Sequence, residues 1–213
     1  MYKRQDKVFI RNIITNEEEE LIFTDEKVYD PSISLRQKDR DTDEIYISYS
    51  TPKTQNRTYL YNIKTKEKKL VKEQIIPSGH EPNDYIVERL ECPSHDGRVV
   101  PITITRHKNT PIDGSAELLL YGYGSYGHSM SPTFSSTRLS LIKRNIIWAT
   151  AHIRGGMERG MKWWKEGKLL NKKNTFKDYI ACAKFLIEKK YTSKKKIIGM
   201  GGSAGGLLMG VVV

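Results

Sequence analysis

The chain has 213 residues, of which 38% are hydrophobic and 9% aromatic, and this is enough to form a packed globular core. Its net charge is +11, but the lysines are spread singly or in short runs, which is typical of a solvated surface and argues against a nucleic-acid partner. Two cysteines, Cys92 and Cys182, exclude a disulfide framework. Neither an export signal nor a stretch of roughly 20 apolar residues is present, so we expect a cytoplasmic protein without membrane contact.

The first part of the chain, residues 1–82, is predicted to form short antiparallel strands joined by polar turns. The strands are predicted over residues 7–14, 44–51, 57–63 and 68–71. The acidic stretches 17–20 and 39–44 are interpreted as solvated loops, because no His or Cys lies beside them to complete a metal site. The turn-rich segment 78–82 marks a change of composition, and we place a domain boundary there.

The second part, residues 83–213, has the pattern of an α/β fold. Residues 85–92 and 100–105 alternate as strands across an Asp96-Gly97 hairpin turn, and helices are predicted over 134–144 and 175–190. The second helix opens on Thr175-Phe-Lys-Asp178, which matches a capping box. Three nearly continuous apolar runs indicate strands buried on both faces of a parallel sheet: residues 118–121, 146–151 and 197–200. Strands that alternate with helices predict a sheet with helices on its faces.

A chemical motif follows the last of these strands. Gly201-Gly-Ser-Ala-Gly205 matches G-x-S-x-G, and the apolar run behind it can begin a helix. In such a strand-turn-helix, Ser203 would be the exposed nucleophile, and the backbone N–H of Ala204 would face the oxyanion that develops during acyl transfer. A glycine-rich turn could instead cradle phosphate, but no Lys follows to complete a phosphate loop. The context therefore favours a hydrolase.

Four segments resemble the prolyl oligopeptidase family, and within it the oligopeptidase B branch: Leu119-Leu-Tyr-Gly-Tyr-Gly-Ser-Tyr-Gly127, His152-Ile-Arg-Gly-Gly156, Asn174-Thr-Phe-Lys-Asp178 and Gly201-Gly-Ser-Ala-Gly-Gly-Leu-Leu-Met-Gly210. The resemblance implies that residues 1–82 are the last antiparallel blades of a β-propeller. It implies that residues 83–213 are the N-terminal part of an α/β-hydrolase peptidase domain. The implied activity is that of a serine endopeptidase cleaving short peptides, with a preference for Lys or Arg that comes from the resemblance alone.

The resemblance also assigns Tyr123 as the hydroxyl donor that completes the oxyanion hole with Ala204. Without the family, a packing tyrosine in a glycine-rich loop would be the simpler interpretation. For Arg154 a structural role that ties loops together is favoured over a substrate contact, and Trp163 and Trp164 are expected to pack beneath the loop. His152 precedes the serine, which contradicts the order of serine, acid and histidine in α/β hydrolases. The chemistry implies no metal and no organic cofactor.

The acid and the histidine of a triad are expected after the nucleophile, yet only ten residues follow Ser203, and neither group is among them. We therefore expect a truncated chain that is unstable alone. Its expected partners are a short peptide substrate and a separate chain that carries the missing Asp and His. Two alternatives stay open: an inactive degraded product, and an α/β-hydrolase esterase, which would have no need of the hairpins before residue 82.

Overall fold

The computed structural model describes residues 7–22, 24–34 and 41–212, which form two compact units. The first unit contains the described residues up to Pro82 together with residues 132–135, and the second contains residues 83–131 and 136–212. None of the helices within these described ranges is long and apolar enough to cross a membrane.

The first unit consists of antiparallel strands. Strands β1 (Val8–Arg11) and β2 (Glu18–Leu21) form a hairpin. A four-stranded meander follows in chain order, made of β3 (Asp30–Ser34), β4 (Glu44–Ser50), β5 (Arg57–Asn62) and β6 (Lys68–Glu73). Ile47 is fully buried in its core, and Tyr49 stacks on Tyr59 with 5.8 Å between ring centroids. A four-stranded antiparallel sheet of this kind is the form of a propeller blade.

The prediction of a solvated loop at residues 17–20 is wrong, because most of this run lies in β2. The acidic side chains face opposite charges: Lys7 Nζ lies 2.7 Å from Glu20 Oε2, and Arg11 Nη1 lies 3.6 Å from Glu18 Oε1. Cross-strand pairs of opposite charge favour such pairing. The other predicted loop, 39–44, lies partly outside the described residues, and β4 begins at its last residue.

The second unit is built on a five-stranded mixed sheet. Its strands are β7 (Tyr85–Pro93), β8 (Val99–His107), β9 (Leu118–Gly122), β10 (Ile147–Ala151) and β11 (Ile197–Met200), in the spatial order β11-β9-β10-β8-β7. Strands β7 and β8 form the predicted hairpin, and β8 also pairs antiparallel with β10. Strands β9, β10 and β11 are parallel, as predicted.

In the part of the chain that the structure describes, four α-helices accompany this sheet: α1 (Ser136–Ile142), α2 (Met161–Lys165), α3 (Lys173–Glu188) and α4 (Ala204–Val212). Helix α3 begins two residues before Thr175, and no side chain caps its N-terminus, so the capping-box prediction is wrong. The Thr175 hydroxyl donates to the carbonyl oxygens of Arg154 and Gly167, and Asp178 accepts hydrogen bonds from Arg154. The two side chains that a local cap would use are therefore hydrogen-bonded to residues outside the helix.

The sheet core is formed by β8, β9 and β10, where Ile104, Leu118, Leu120 and Ala149 are fully buried. Strand β11 differs from this pattern. It is one of the two edge strands of the sheet within the described ranges, and its Ile198 side chain is 48% exposed. The prediction that this strand is buried on both faces is therefore wrong for the structure as described.

The strand order reverses beside β9. The chain passes from β9 through α1 to β10 on one side, then through α2 and α3 to β11 on the other side of β9. The carboxyl ends of β9 and β11 therefore border a topological switch point. In open α/β sheets, ligands bind in the crevice at this point.

Candidate active site

Ser203 occupies the sharp turn between β11 and α4. Its side chain is exposed, and its backbone φ of 53° lies in the left-handed region, which few residues other than glycine adopt. Strained backbone of this kind is concentrated at functional sites, and it is the conformation that presents the serine of a G-x-S-x-G turn to solvent.

Two glycines of the motif allow α4 to start directly beside the end of β9. A Cβ atom added at Gly201 would lie 2.5 Å from the Gly205 carbonyl oxygen. A Cβ atom added at Gly205 would lie 2.9 Å from the Gly122 carbonyl oxygen. Any side chain at either position would push the turn away from β9.

Ala204 is the first residue of α4. The next two amides are satisfied locally, since Gly205 N–H donates to Gly202 O at 2.7 Å and Gly206 N–H donates to Ser203 O at 2.8 Å. The Ala204 N–H belongs to the first helical turn, whose N–H groups have no acceptor within the helix. This end of a helix also carries partial positive charge, which favours an anion. The helix start therefore suits a developing oxyanion.

Tyr123 directly follows β9 and is half-buried at the same corner of the sheet. Its Cα and its ring Cδ2 each lie 3.7 Å from the Cβ position of Gly205, in the first turn of α4. The Tyr123 ring also meets the His128 ring edge-on, with 5.5 Å between centroids. The structure thus brings together the three residues singled out from sequence, Ser203, Ala204 and Tyr123, at the switch point. Their catalytic roles stay predictions.

His152 belongs to a buried polar cluster. Its Nε2 lies 2.8 Å from Thr103 Oγ1, and its Nδ1 lies 3.5 Å from Glu158 Oε1. Burial opposes ionisation of Glu158, but the contacts with His152 and with the Met130 amide outweigh it and lower the pKa of this carboxyl. These contacts assign the imidazole to the scaffold.

Arg154 connects three segments of the second unit. It is fully buried, pairs with Asp178 at 2.6 Å on α3, and reaches Asp96 at 2.6 Å in the β7–β8 turn. Burial opposes its charge, but the hydrogen bonds that it donates to both carboxylates outweigh this and raise its pKa. This matches the favoured prediction of an arginine that ties loops together. Trp163 is buried beneath the same loop, and the ring of Trp164 is covered by a lysine ammonium.

One residue of this region was not singled out from sequence. The Lys172 ammonium donates to the Gly124 carbonyl at 2.6 Å and to the Ser125 hydroxyl at 2.8 Å, both in the loop that begins at Tyr123. The signal that could have identified it is a lysine beside a helix N-terminus, where the helix dipole disfavours a cation. Among the described residues, no cluster of three or more His, Cys, Asp or Glu could hold a metal ion.

Comparison with known proteins gives consistent matches. A sequence model of the prolyl oligopeptidase family matches residues 132–213. Dipeptidyl aminopeptidase BI of Pseudoxanthomonas mexicana is 41% identical over 204 aligned residues, which cover 95% of this chain. Protease 2 of Moraxella lacunata is 37% identical over an alignment of 221 residues, which covers all of this chain. The solved oligopeptidase B of Leishmania major is 32% identical and superimposes with a TM-score of 0.85 over 97% of this chain.

The chain spans only about a third or less of each of these relatives: 28% of the aminopeptidase, 32% of protease 2 and 30% of oligopeptidase B. The structural match confirms the predicted fold class, an N-terminal part of an α/β-hydrolase domain preceded by antiparallel propeller blades. The names of the relatives describe peptidases of differing kinds.

Proposed function

Because this chain belongs to the prolyl oligopeptidase family, we propose that it is the part of a serine peptidase that carries the nucleophile, Ser203. The observation that carries the proposal is the left-handed turn at Ser203, held between β11 and α4 beside Tyr123 at the switch point. An exposed serine with strained backbone has no packing role that would explain the strain.

In the proposed reaction, Ser203 Oγ attacks the carbonyl carbon of a short peptide. The carbonyl π electrons move to oxygen, and the resulting oxyanion accepts hydrogen bonds from the Ala204 N–H and the Tyr123 hydroxyl. Collapse of this intermediate expels the amine and leaves an acyl group on Ser203, which water then removes. Charge stabilisation by fixed donors is the part of catalysis that these residues would supply.

The reaction also needs a base that takes the Ser203 proton and returns it to the leaving amine. In α/β hydrolases the acid and the histidine follow the nucleophile in sequence. The ten residues after Ser203 are Ala, Gly, Leu, Met and Val only. We therefore propose that the acid and the histidine come from a segment other than these 213 residues, on the same polypeptide or on a partner chain.

Cleavage after Lys or Arg is the proposed specificity, supported by the oligopeptidase B match. The carboxylates that would recognise a basic side chain are proposed to lie on the same additional segment. We also propose a cytoplasmic location, which suits the two free cysteines, Cys92 and Cys182.

A complementation assay tests the proposal. The chain is purified alone and together with the portion of Moraxella lacunata protease 2 that follows its matching region, and each sample receives a fluorogenic Arg-Arg peptide. We expect hydrolysis only in the mixture, and none when the chain carries Ser203→Ala. Hydrolysis by the chain alone would show that a base lies within it, and would refute the proposal that the acid and the histidine come from another segment. A mixture that cleaves equally well with Ser203→Ala would refute the nucleophile.

A further inference from the structure

The loop that carries Tyr123 has little structure of its own. Residues 123–128 lie between β9 and the long connection to α1, and three of them have left-handed backbone: Gly124 with φ of 64°, Tyr126 with φ of 57° and Gly127 with φ of 67°. Glycine-rich backbone has many accessible conformations, so ordering it costs conformational entropy. Contacts from outside the loop must therefore hold it in one conformation.

Two backbone hydrogen bonds fix the far end of this loop. Gly127 N–H donates to Gly155 O at 2.9 Å, and His128 N–H donates to Ser125 O at 3.0 Å. Their donors lie four and five residues after Tyr123, although the second bond ends on the Ser125 carbonyl. They leave the backbone immediately after Tyr123 to be held in another way.

Lys172 supplies the contacts at the near end. Its ammonium donates to Gly124 O at 2.6 Å and to Ser125 Oγ at 2.8 Å. Both acceptors are neutral, and both belong to the two residues that follow Tyr123. Gly124 and Ser125 are themselves buried, so removal of the ammonium would leave buried polar groups without this donor.

The position of Lys172 is unfavourable on local grounds. It immediately precedes α3, where the helix dipole disfavours a cation, and partial burial lowers the pKa of its ammonium. A surface lysine would avoid both costs by extending into water. The hydrogen bonds to the Tyr123 loop are the contacts that compensate for them.

We infer that Lys172 is a positioning residue: by holding Gly124 and Ser125 it fixes the backbone from which Tyr123 directs its hydroxyl to the oxyanion. This inference rests on the proposed function for its catalytic meaning. The contact between Lys172 and the loop is independent of that function, and the two can be tested apart.

The first test measures the loop itself by hydrogen exchange and mass spectrometry. Lys172→Met removes the ammonium and keeps most of the side-chain length, whereas Lys173→Met makes the same change at the exposed neighbouring residue. We expect the amides of Gly127 and His128 to exchange at least about tenfold faster in Lys172→Met and to be unchanged in Lys173→Met. Amides in the middle of α3 should be protected equally in both variants.

Two results of this test would overturn the inference. Unchanged exchange in residues 123–128 would show that Lys172 does not hold the loop. Faster exchange throughout α3 as well as the loop would show a general loss of structure instead of local positioning. Neither result depends on peptidase activity.

The second test is a double-mutant cycle in the complemented enzyme, with kcat and KM measured separately. Lys172→Met is expected to lower kcat about 10- to 100-fold with little change in KM, because misplacing an oxyanion donor by about 1 Å can cost about 100-fold. In the Tyr123→Phe background the same change should lower kcat less than about twofold, because the hydroxyl it positions is already gone. Lys172→Arg should recover part of the loss.

Independent losses that multiply in the double variant would overturn the positioning role. If the complemented wild type shows no hydrolysis that depends on Ser203, the proposed function fails. In that case the exchange measurement still decides whether Lys172 holds the loop, so the two failures can be told apart.

Discussion

Replacing Asp178 by Asn removes the negative charge at the centre of the most buried ion-pair network in the second unit. Both carboxylate oxygens are fully buried and accept four hydrogen bonds. Three come from Arg154: Nε at 2.8 Å, Nη2 at 2.6 Å and the backbone N–H at 3.1 Å. The fourth comes from the Ser94 hydroxyl at 2.6 Å.

The size of the effect follows from the burial of the partner. Arg154 is only 1% exposed, so without Asp178 its charge would depend on Asp96, whose side chain is 35% exposed. Breaking a buried pair by removing one partner costs about 3–5 kcal/mol, because the remaining charge stays desolvated. The Asn amide would also direct a donor at the Arg154 donors. We expect Asp178→Asn to lower the free energy of unfolding by about 3–5 kcal/mol.

Urea unfolding followed by tryptophan fluorescence measures this value, because all three tryptophans lie in the second unit. Asp84→Asn is the matched control, since Asp84 pairs with Lys108 at 2.7 Å on the surface and should contribute less than about 1 kcal/mol. The combination of Arg154→Met with Asp178→Leu should recover at least part of the loss. A cost for Asp178→Asn no larger than that for the control would refute the reasoning.

Three further predictions concern the site, the pH dependence and the sheet edge. Gly205→Ala should reduce Ser203-dependent hydrolysis in the complemented enzyme at least about tenfold, because the Cβ of the alanine would lie 2.9 Å from the Gly122 carbonyl oxygen. An unchanged kcat would refute the close approach of the turn to β9. Burial raises the pKa of Asp96, but hydrogen bonds from Arg154 outweigh it and hold this pKa below its ordinary 3.8. Asp96 therefore contributes to the free energy of unfolding above that value, and this contribution is lost as the pH falls through the lowered pKa. The difference in free energy of unfolding between wild type and Asp96→Asn should shrink between about pH 5 and pH 3. A difference that stays constant over this range would contradict the prediction. Ile198→Lys, at a side chain 48% exposed on the β11 edge, should reduce concentration-dependent association in light scattering without lowering the urea midpoint.

The α/β pattern and the nucleophile turn could be predicted because their signals are local. The apolar run before Gly201, the two glycines and the helix-forming run after Ser203 all lie within a few residues of each other. The β7–β8 hairpin was predictable for the same reason, since Asp96-Gly97 specifies its own turn. Such elements depend on backbone preference and on the period of burial, both of which can be read along the chain.

Local patterns failed where a distant partner decided the outcome. Thr175 and Asp178 have the spacing of a capping box, but the buried Arg154 loop offers them stronger partners. Residues 18–20 carry acidic side chains that suggest a loop, but the pairing of β2 with β1 brings Glu18 near Arg11 and Glu20 near Lys7. In both places a tertiary contact outweighed a weak local preference.

The sequence by itself determined the order of strands and helices, the position of Ser203 after a strand and the family membership that the motifs imply. Only the tertiary structure decided that β11 lies beside β9, so that Tyr123 lies close to Gly205, two residues after Ser203. It also decided that Lys172 reaches the Tyr123 loop. The physical reason is that strand order and side-chain partners depend on contacts between distant segments, whereas propensity and periodicity record only how each segment is folded and which of its faces is buried.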